Sequence, residues 1–189
     1  SPELLQSIAL VVRTDDTRPG SPGNASPPAY YWRSTTYDIY TGRGWNSYYH
    51  DLAAYAANAQ LFSEPPAFQR KVRQNIELDH ELDGLLFAAG NVASVDHDFR
   101  VAWREPNDIF GTEISAKNYR SESYVSTATE AQLRAAGTNY PETIKARYLE
   151  LPEDLPPRVR ALALDVTLKE LTPYDRASAI EQYLRQLAY

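Results

Sequence analysis

An α+β fold, with an antiparallel β-sandwich-like domain over residues 1–126 and a helical segment over 127–189, follows from three features of the sequence. Several short runs rich in aromatic and β-branched residues are separated by turn residues, as in layered antiparallel sheets. Between Phe68 and Leu78 the side chains alternate with a period of two, the signature of a sheet with one wet face. After Thr127 the period lengthens to that of amphipathic helices, with capping residues at their starts.

The elements follow in chain order. Ile8 to Thr14 is a short apolar strand, and residues 15–29, crowded with Pro, Gly, Ser and Asp, form a long loop. Tyr30 to Thr41 reads as a second strand, turned into Trp45 by Thr41-Gly42-Arg43-Gly44. In the Phe68–Leu78 strand, Gln69, Lys71, Arg73, Asn75 and Glu77 face one way and Phe68, Val72, Ile76 and Leu78 the other, with Arg70 and Gln74 interrupting the apolar side. Leu85–Ala89 and Val92–Val95, split by Gly90-Asn91, read as a hairpin. Phe99, Val101 and Trp103 alternate with Arg100, Ala102 and Arg104, and Tyr119–Ser126 is a further strand after a turn region at Gly111.

Among the helices, Thr127 and Glu130 fit a capping box and Gly137 the left-handed residue that stops a short helix. Asp154-Leu155-Pro156-Pro157 starts a second, with Val159, Leu162, Ala163 and Val166 on one face. Thr172-Pro173-Tyr174-Asp175 starts the last, whose Ala177, Ile180, Leu184 and Leu187 form a stripe expected to be buried. That stripe runs in full pattern to the end of the chain, and the chain begins Ser1-Pro2-Glu3 without a single Met. Both features read as those of a segment excised from a longer protein.

Composition narrows the function classes. A net charge of -6 opposes binding to phosphate backbones, so nucleic acid is not an expected partner. No apolar stretch approaches the roughly 20 residues of a membrane helix. With no Cys there is no thiolate nucleophile and no cysteine-ligated metal, and no cofactor is expected. The acidic groups Asp79, Glu81 and Asp83, and Asp96 with Asp98, lack an EF-hand spacing and read as solvated loops. His50, His80 and His97 have no zinc-binding spacing, although His80 and His97 flank the expected hairpin. The rings at Tyr30, Tyr31, Trp32, Tyr37, Tyr40, Trp45, Tyr48 and Tyr49 suit two roles. One is the ordinary packing of strands; the other is a platform for sugars or peptide side chains, with Tyr31, Trp32, Trp45 and Tyr48 as its binding residues.

Two stretches carry a resemblance. Tyr31-Trp32-Arg33-Ser34-Thr35-Thr36-Tyr37-Asp38-Ile39-Tyr40-Thr41-Gly42-Arg43-Gly44-Trp45 resembles a YWR-x-x-x-Y-D-x-Y-x-G-x-x-W segment of bacterial transglutaminase-like membrane proteins. Tyr148 to Val159, followed by Pro173-Tyr174-Asp175-Arg176-Ala177 and Ile180-Glu181-Gln182-Tyr183-Leu184-Arg185, is similar to the helical lead-in to their papain-like core. In that family the Cys, His and Asp of acyl transfer or proteolysis come later, and none maps onto this chain. The resemblance therefore implies a non-catalytic accessory or scaffold segment of a transglutaminase-like protein, with no catalytic residue of its own. It implies as partner the transglutaminase-like core of the same protein, with a peptide or cell-wall substrate beyond it. It also implies an extracytoplasmic location, tethered to the membrane through other segments. Read alone, the uncovered helical stripe predicts self-association of the fragment. The alternative is an extracytoplasmic module that binds carbohydrate or peptide through its aromatic surface.

Overall fold

The structure, a computed structural model, describes residues 8–15, 29–48, 51–78 and 84–187. The expected loop centred on residues 16–28 lies outside them, as do Tyr49, His50, Asp79, His80, Glu81 and Asp83. The strands are β1 (Leu10–Thr14), β2 (Trp32–Arg33), β3 (Ile39–Tyr40), β4 (Trp45–Asn46), β5 (Asp51–Tyr55), β6 (Gln69–Leu78), β7 (Ala88–Ala89), β8 (Asn91–Val95), β9 (Phe99–Glu105), β10 (Asp108–Ile114) and β11 (Asn118–Ser126). The helices are α1 (Glu130–Ala135), α2 (Glu142–Tyr148), α3 (Pro157–Val166) and α4 (Pro173–Arg185). This is an α+β fold with antiparallel sheets and C-terminal helices.

The chain divides into two compact units. One takes the residues up to Thr36 together with Ser47–Thr127; the other takes Tyr37–Asn46 and Ala128–Tyr189. In the β unit a sheet ordered β1-β6-β11-β8 and a sheet ordered β10-β9-β5 supply one core. Val72, Gln74, Ile76 and Leu78 alternate inward along β6 while Lys71, Arg73, Asn75 and Glu77 stay exposed, as the period of two requires. Ile76 and Leu78 join Leu86, Val92, Val95, Phe99, Val101, Ile114 and Tyr119 in that core.

Several strands depart from the sequence expectation. The long second strand is broken into β2 and β3: after β2 the chain turns to β10, through the Thr35–Gly111 bridge and the Thr36 N–H donating to the Phe110 carbonyl at 2.8 Å, and then passes into the other unit. Leu85–Val95 is not a hairpin: β7 pairs with β2, and β8 pairs with β11. Gly90 bends the chain between two partners at φ +69°. The turn foreseen at Gly111 lies inside β10, the true reversal being made before it at Asn107, φ +67°. Arg104, expected on a wet face, is only 3% exposed. Phe68, expected on the apolar side, is 66% exposed at φ +55°, just before β6 begins.

Tyr119 fastens the loop ahead of β7 to the core. Its hydroxyl accepts from the Phe87 N–H at 2.8 Å and donates to the Phe87 carbonyl at 2.9 Å. Burial pushes its pKa up to about 12, against a smaller opposite pull from the Phe87 backbone bond. A raised pKa contributes stability that is complete below the unfolded value, near 10, and is lost as pH rises through the folded value. We expect the β unit to lose roughly 2 to 3 kcal/mol through this group between about pH 10 and 12. Urea midpoints measured across that range should fall more steeply in the wild type than in Tyr119→Phe; parallel curves would refute the assignment.

In the helical unit, Thr172 caps α4 by accepting from the Asp175 N–H at 3.1 Å, and Pro173 occupies the first turn. Gly137 sits just past α1 at φ +70°. The capping box of α1 belongs to Thr129 and Gln132 rather than Thr127 and Glu130. Thr127 is still committed to the sheet, its N–H donating to the Phe68 carbonyl at 2.7 Å. The α4 stripe is present but not buried: no residue of α1, α2, α3 or α4 is.

Candidate functional site

The four aromatic candidates do not share one setting. Trp32 is half-buried, and its indole N–H donates to Gln74 Oε1 at 2.9 Å. Its ring meets the Tyr30 ring edge-on at 5.9 Å, and Arg70 lies over Tyr30 while bonding its hydroxyl. Every polar edge of Trp32 is thus used inside the β unit, which makes it a packing anchor. Its neighbour Tyr31 points away and is 83% exposed, as strand alternation dictates. Tyr48, also of the β unit, is 66% exposed.

Trp45 belongs to the helical unit with the rest of the β3–β4 hairpin. Tyr40 pairs with Trp45 across that hairpin, their rings tilted at 5.1 Å, and Trp45 remains 63% exposed. The turn is closed by the Thr41 N–H donating to the Gly44 carbonyl at 2.9 Å, with Gly42 at φ +79°. Exposed rings therefore exist in both units, and Trp32 is not one of them.

The helical unit presents a more extensive apolar surface. Val159, Leu162, Leu164, Ile180, Leu184 and Leu187 are all exposed, and Leu171, in the loop before α4, reaches 91%. Apolar residues at i, i+3, i+4 and i+7 normally mark the face that a helix buries. Here the periodicity is that of a buried face and the exposure that of a wet one.

The titratable clusters of the β unit are internally matched. A polar groove of about 520 Å³ is lined by Asp96, Arg120, Arg73 and Glu122. Burial alone would raise the Asp96 pKa, but the Arg120 N–H, the His97 ring and the Arg120 guanidinium together hold it below the usual carboxylate value. Hydrogen bonds from Lys71 and Arg73 likewise lower Glu122. Such partly exposed pairs add little stability and leave neither Asp96 nor Glu122 poised as a general acid. Asp98, in a separate cleft of about 630 Å³, accepts from the Ala57 N–H at 2.9 Å. Among the described residues no three His, Cys, Asp or Glu side chains gather as metal ligands. Also among them, no helix is long and apolar enough to cross a membrane.

Two heavily hydrogen-bonded polar residues lie outside the candidate sites the sequence suggested. Gln74, 1% exposed, ties Trp32, Ala89 and Ser123 together. Arg104 binds Asp108, Thr36 and Ser47. A local signal for Arg104 existed in Arg104-Glu105-Pro106-Asn107-Asp108, where Pro and Asn favour a turn that brings Arg and Asp together. Its partners 68 and 57 residues away had no local signal.

No family model matches the chain. No solved structure matches it either. Among curated proteins, the chain is 25% identical over 177 residues to the uncharacterized protein YebA of Bacillus subtilis (strain 168), a match covering 84% of this chain. It covers 24% of that protein, so the chain spans about a quarter of the length of the curated relative it matches.

Proposed function

We propose that this chain is a non-catalytic accessory segment of a transglutaminase-like protein, extracytoplasmic and membrane-tethered through other segments, whose helices dock on the papain-like core of the same protein. The observation that carries the reading is the uncovered apolar face of α3 and α4, with Val159, Leu162, Ile180 and Leu184 exposed at helical spacing. The resemblance of Tyr148–Val159 and Pro173–Arg185 to the lead-in of that core supports it. So does similarity to a relative of which this chain covers only 24%. A surface of this kind gains free energy when covered, about 25 cal/mol for each Å² of apolar area removed from water. The segment's role is then positional: it orients the core and forms one wall of its substrate cleft.

The test compares the 189-residue chain with its parent extended by roughly 120 residues, the size of a typical further domain. Amide exchange over Pro157–Arg185 should slow at least about tenfold in the longer protein. One Cys of the extension should react with an electrophile faster in the native than in the denatured state. The short chain should self-associate in sedimentation where the long one does not. Unchanged exchange, together with no activated Cys, overturns the proposal.

Exposure of Tyr31, Trp45 and Tyr48 favours a second reading, in which the chain binds carbohydrate or peptide by itself. Under that reading soluble cell-wall fragments shift the tryptophan emission of the 189-residue chain with no extension present, and Trp45→Ala removes the shift. An emission unchanged at millimolar fragment eliminates it.

A further inference from the structure

The chain passes between the two units three times, at 36/37, 46/47 and 127/128. The first two crossings bound a ten-residue excursion, Tyr37–Asn46, that leaves the β unit, makes the β3–β4 hairpin within the helical unit, and returns. One side chain reaches both of its roots, the first of which is also tied to β10 by the Thr36 N–H donating to the Phe110 carbonyl at 2.8 Å. Arg104, 3% exposed, donates to the Thr36 carbonyl at 3.1 Å, to Thr36 Oγ1 at 2.7 Å and to Ser47 Oγ at 3.0 Å. Asp108 fixes the guanidinium from the other side, accepting at 2.9 and 3.1 Å. A planar guanidinium with five donors in a fixed fork suits this task, because it engages several acceptors in defined directions at once.

The far part of the excursion is held within the helical unit. Asp38, whose side chain is 6% exposed, forms an ion pair with Arg147 of α2 at 3.8 Å. The Asp38 N–H also reaches the Asn46 carbonyl at 3.4 Å, and a Cβ at Gly42 would lie 3.7 Å from Asp154 Oδ1. The hairpin is thus rooted in one unit and bonded into the other.

We infer that the β3–β4 hairpin is the element that makes the two units fold and open together, with Arg104 as its positioning residue. Closing the roots of a ten-residue loop removes the closure part of the conformational entropy its strands would otherwise have to lose on pairing. With the roots fixed, the hairpin and its ion pair to α2 form at a lower entropic cost, and order in the β unit is passed to the helices through the chain itself. The inference holds whatever covers the helices, so it stands apart from the accessory-segment reading.

The test is hydrogen exchange on the full chain. Arg104→Met/Asp108→Leu removes the clamp without leaving a buried charge unpaired. Exchange over α2 (Glu142–Tyr148) should accelerate by about tenfold or more, with β6 and β11 protected as in the wild type. Asp38→Asn, which leaves the clamp intact and weakens the tie to α2, should accelerate α2 in the same way. If the double variant does not fold, Thr36→Val with Ser47→Ala removes the two side-chain acceptors, keeps the ion pair and is read identically. Acceleration confined to residues 104–110 and the hairpin, with α2 unchanged, overturns the inference.

Discussion

Replacing Gly90 by Ala is expected to destabilise the β unit by about 4 kcal/mol or more, enough to leave much of it unfolded. Gly90 sits at φ +69° between β7 and β8, a conformation that L-residues with a side chain enter only under strain. A Cβ built there would lie 2.1 Å from the Tyr124 carbonyl oxygen and 3.0 Å from its carbon. Both atoms are backbone of β11, the strand paired on its two sides with β6 and β8, so they cannot turn away as a side chain would. Relief requires either breaking the β8–β11 ladder or expelling Ala88 and Ala89 from the interior. Gly44→Ala is the control: nothing lies within 4 Å of its added Cβ, and its unfolding midpoint should stay near that of the wild type. A Gly90→Ala protein with a wild-type urea midpoint would mean that β7 and β8 do not cross β11 as described.

That glycine also shows where sequence reasoning stops. Gly90-Asn91 between two apolar runs satisfies the local rule for a hairpin, but a glycine inside an apolar run equally marks a close backbone approach. The choice depends on which strands lie alongside, and β2 and β11 are remote in sequence. β6 was legible because a half-buried strand writes its own period into the sequence. β5, Asp51-Leu52-Ala53-Ala54-Tyr55, was not, since it contains no β-branched residue and is made a strand by pairing with β9. The α1 cap was ambiguous for a related reason. Thr127-x-x-Glu130 and Thr129-x-x-Gln132 both fit a capping box, and the Thr127 N–H, already donating to the Phe68 carbonyl, excludes the first.

The candidate site was legible in composition more than in geometry. The ring-rich segment was plain, yet the exposure of each ring follows from strand alternation and from the partners of Trp32, and neither is visible without the partner strands. Apolar periodicity in α3 and α4 was equally plain, but periodicity announces only that a face seeks cover. Whether cover is present is a property of the assembled protein.

Gln74 is the polar counterpart of Gly90, a residue that breaks a pattern because several strands meet on it. Its Oε1 accepts from the Trp32 indole and from the Ala89 N–H, each at 2.9 Å, while its Nε2 donates to Ser123 Oγ at 2.5 Å. One amide thereby joins β2, β7 and β11 to β6, in a position 1% exposed. Gln74→Leu keeps the volume roughly constant and restores the apolar alternation of β6, so a burial argument alone predicts a gain. Counting donors predicts the reverse: two N–H groups and a hydroxyl lose their partner, at about 1 to 3 kcal/mol for each group left buried and unsatisfied. The expected loss is roughly 3 to 5 kcal/mol, with Trp32 freed from its anchor and its emission shifted to the red. Ser121 supplies the internal comparison. It faces Gln74 in the β6–β11 register, is equally buried, and its hydroxyl has no hydrogen-bond partner among the described residues. Ser121→Ala should therefore be neutral or stabilising in the same urea titration. If Gln74→Leu proves as stable as Ser121→Ala, packing rather than hydrogen bonding holds Trp32 in place.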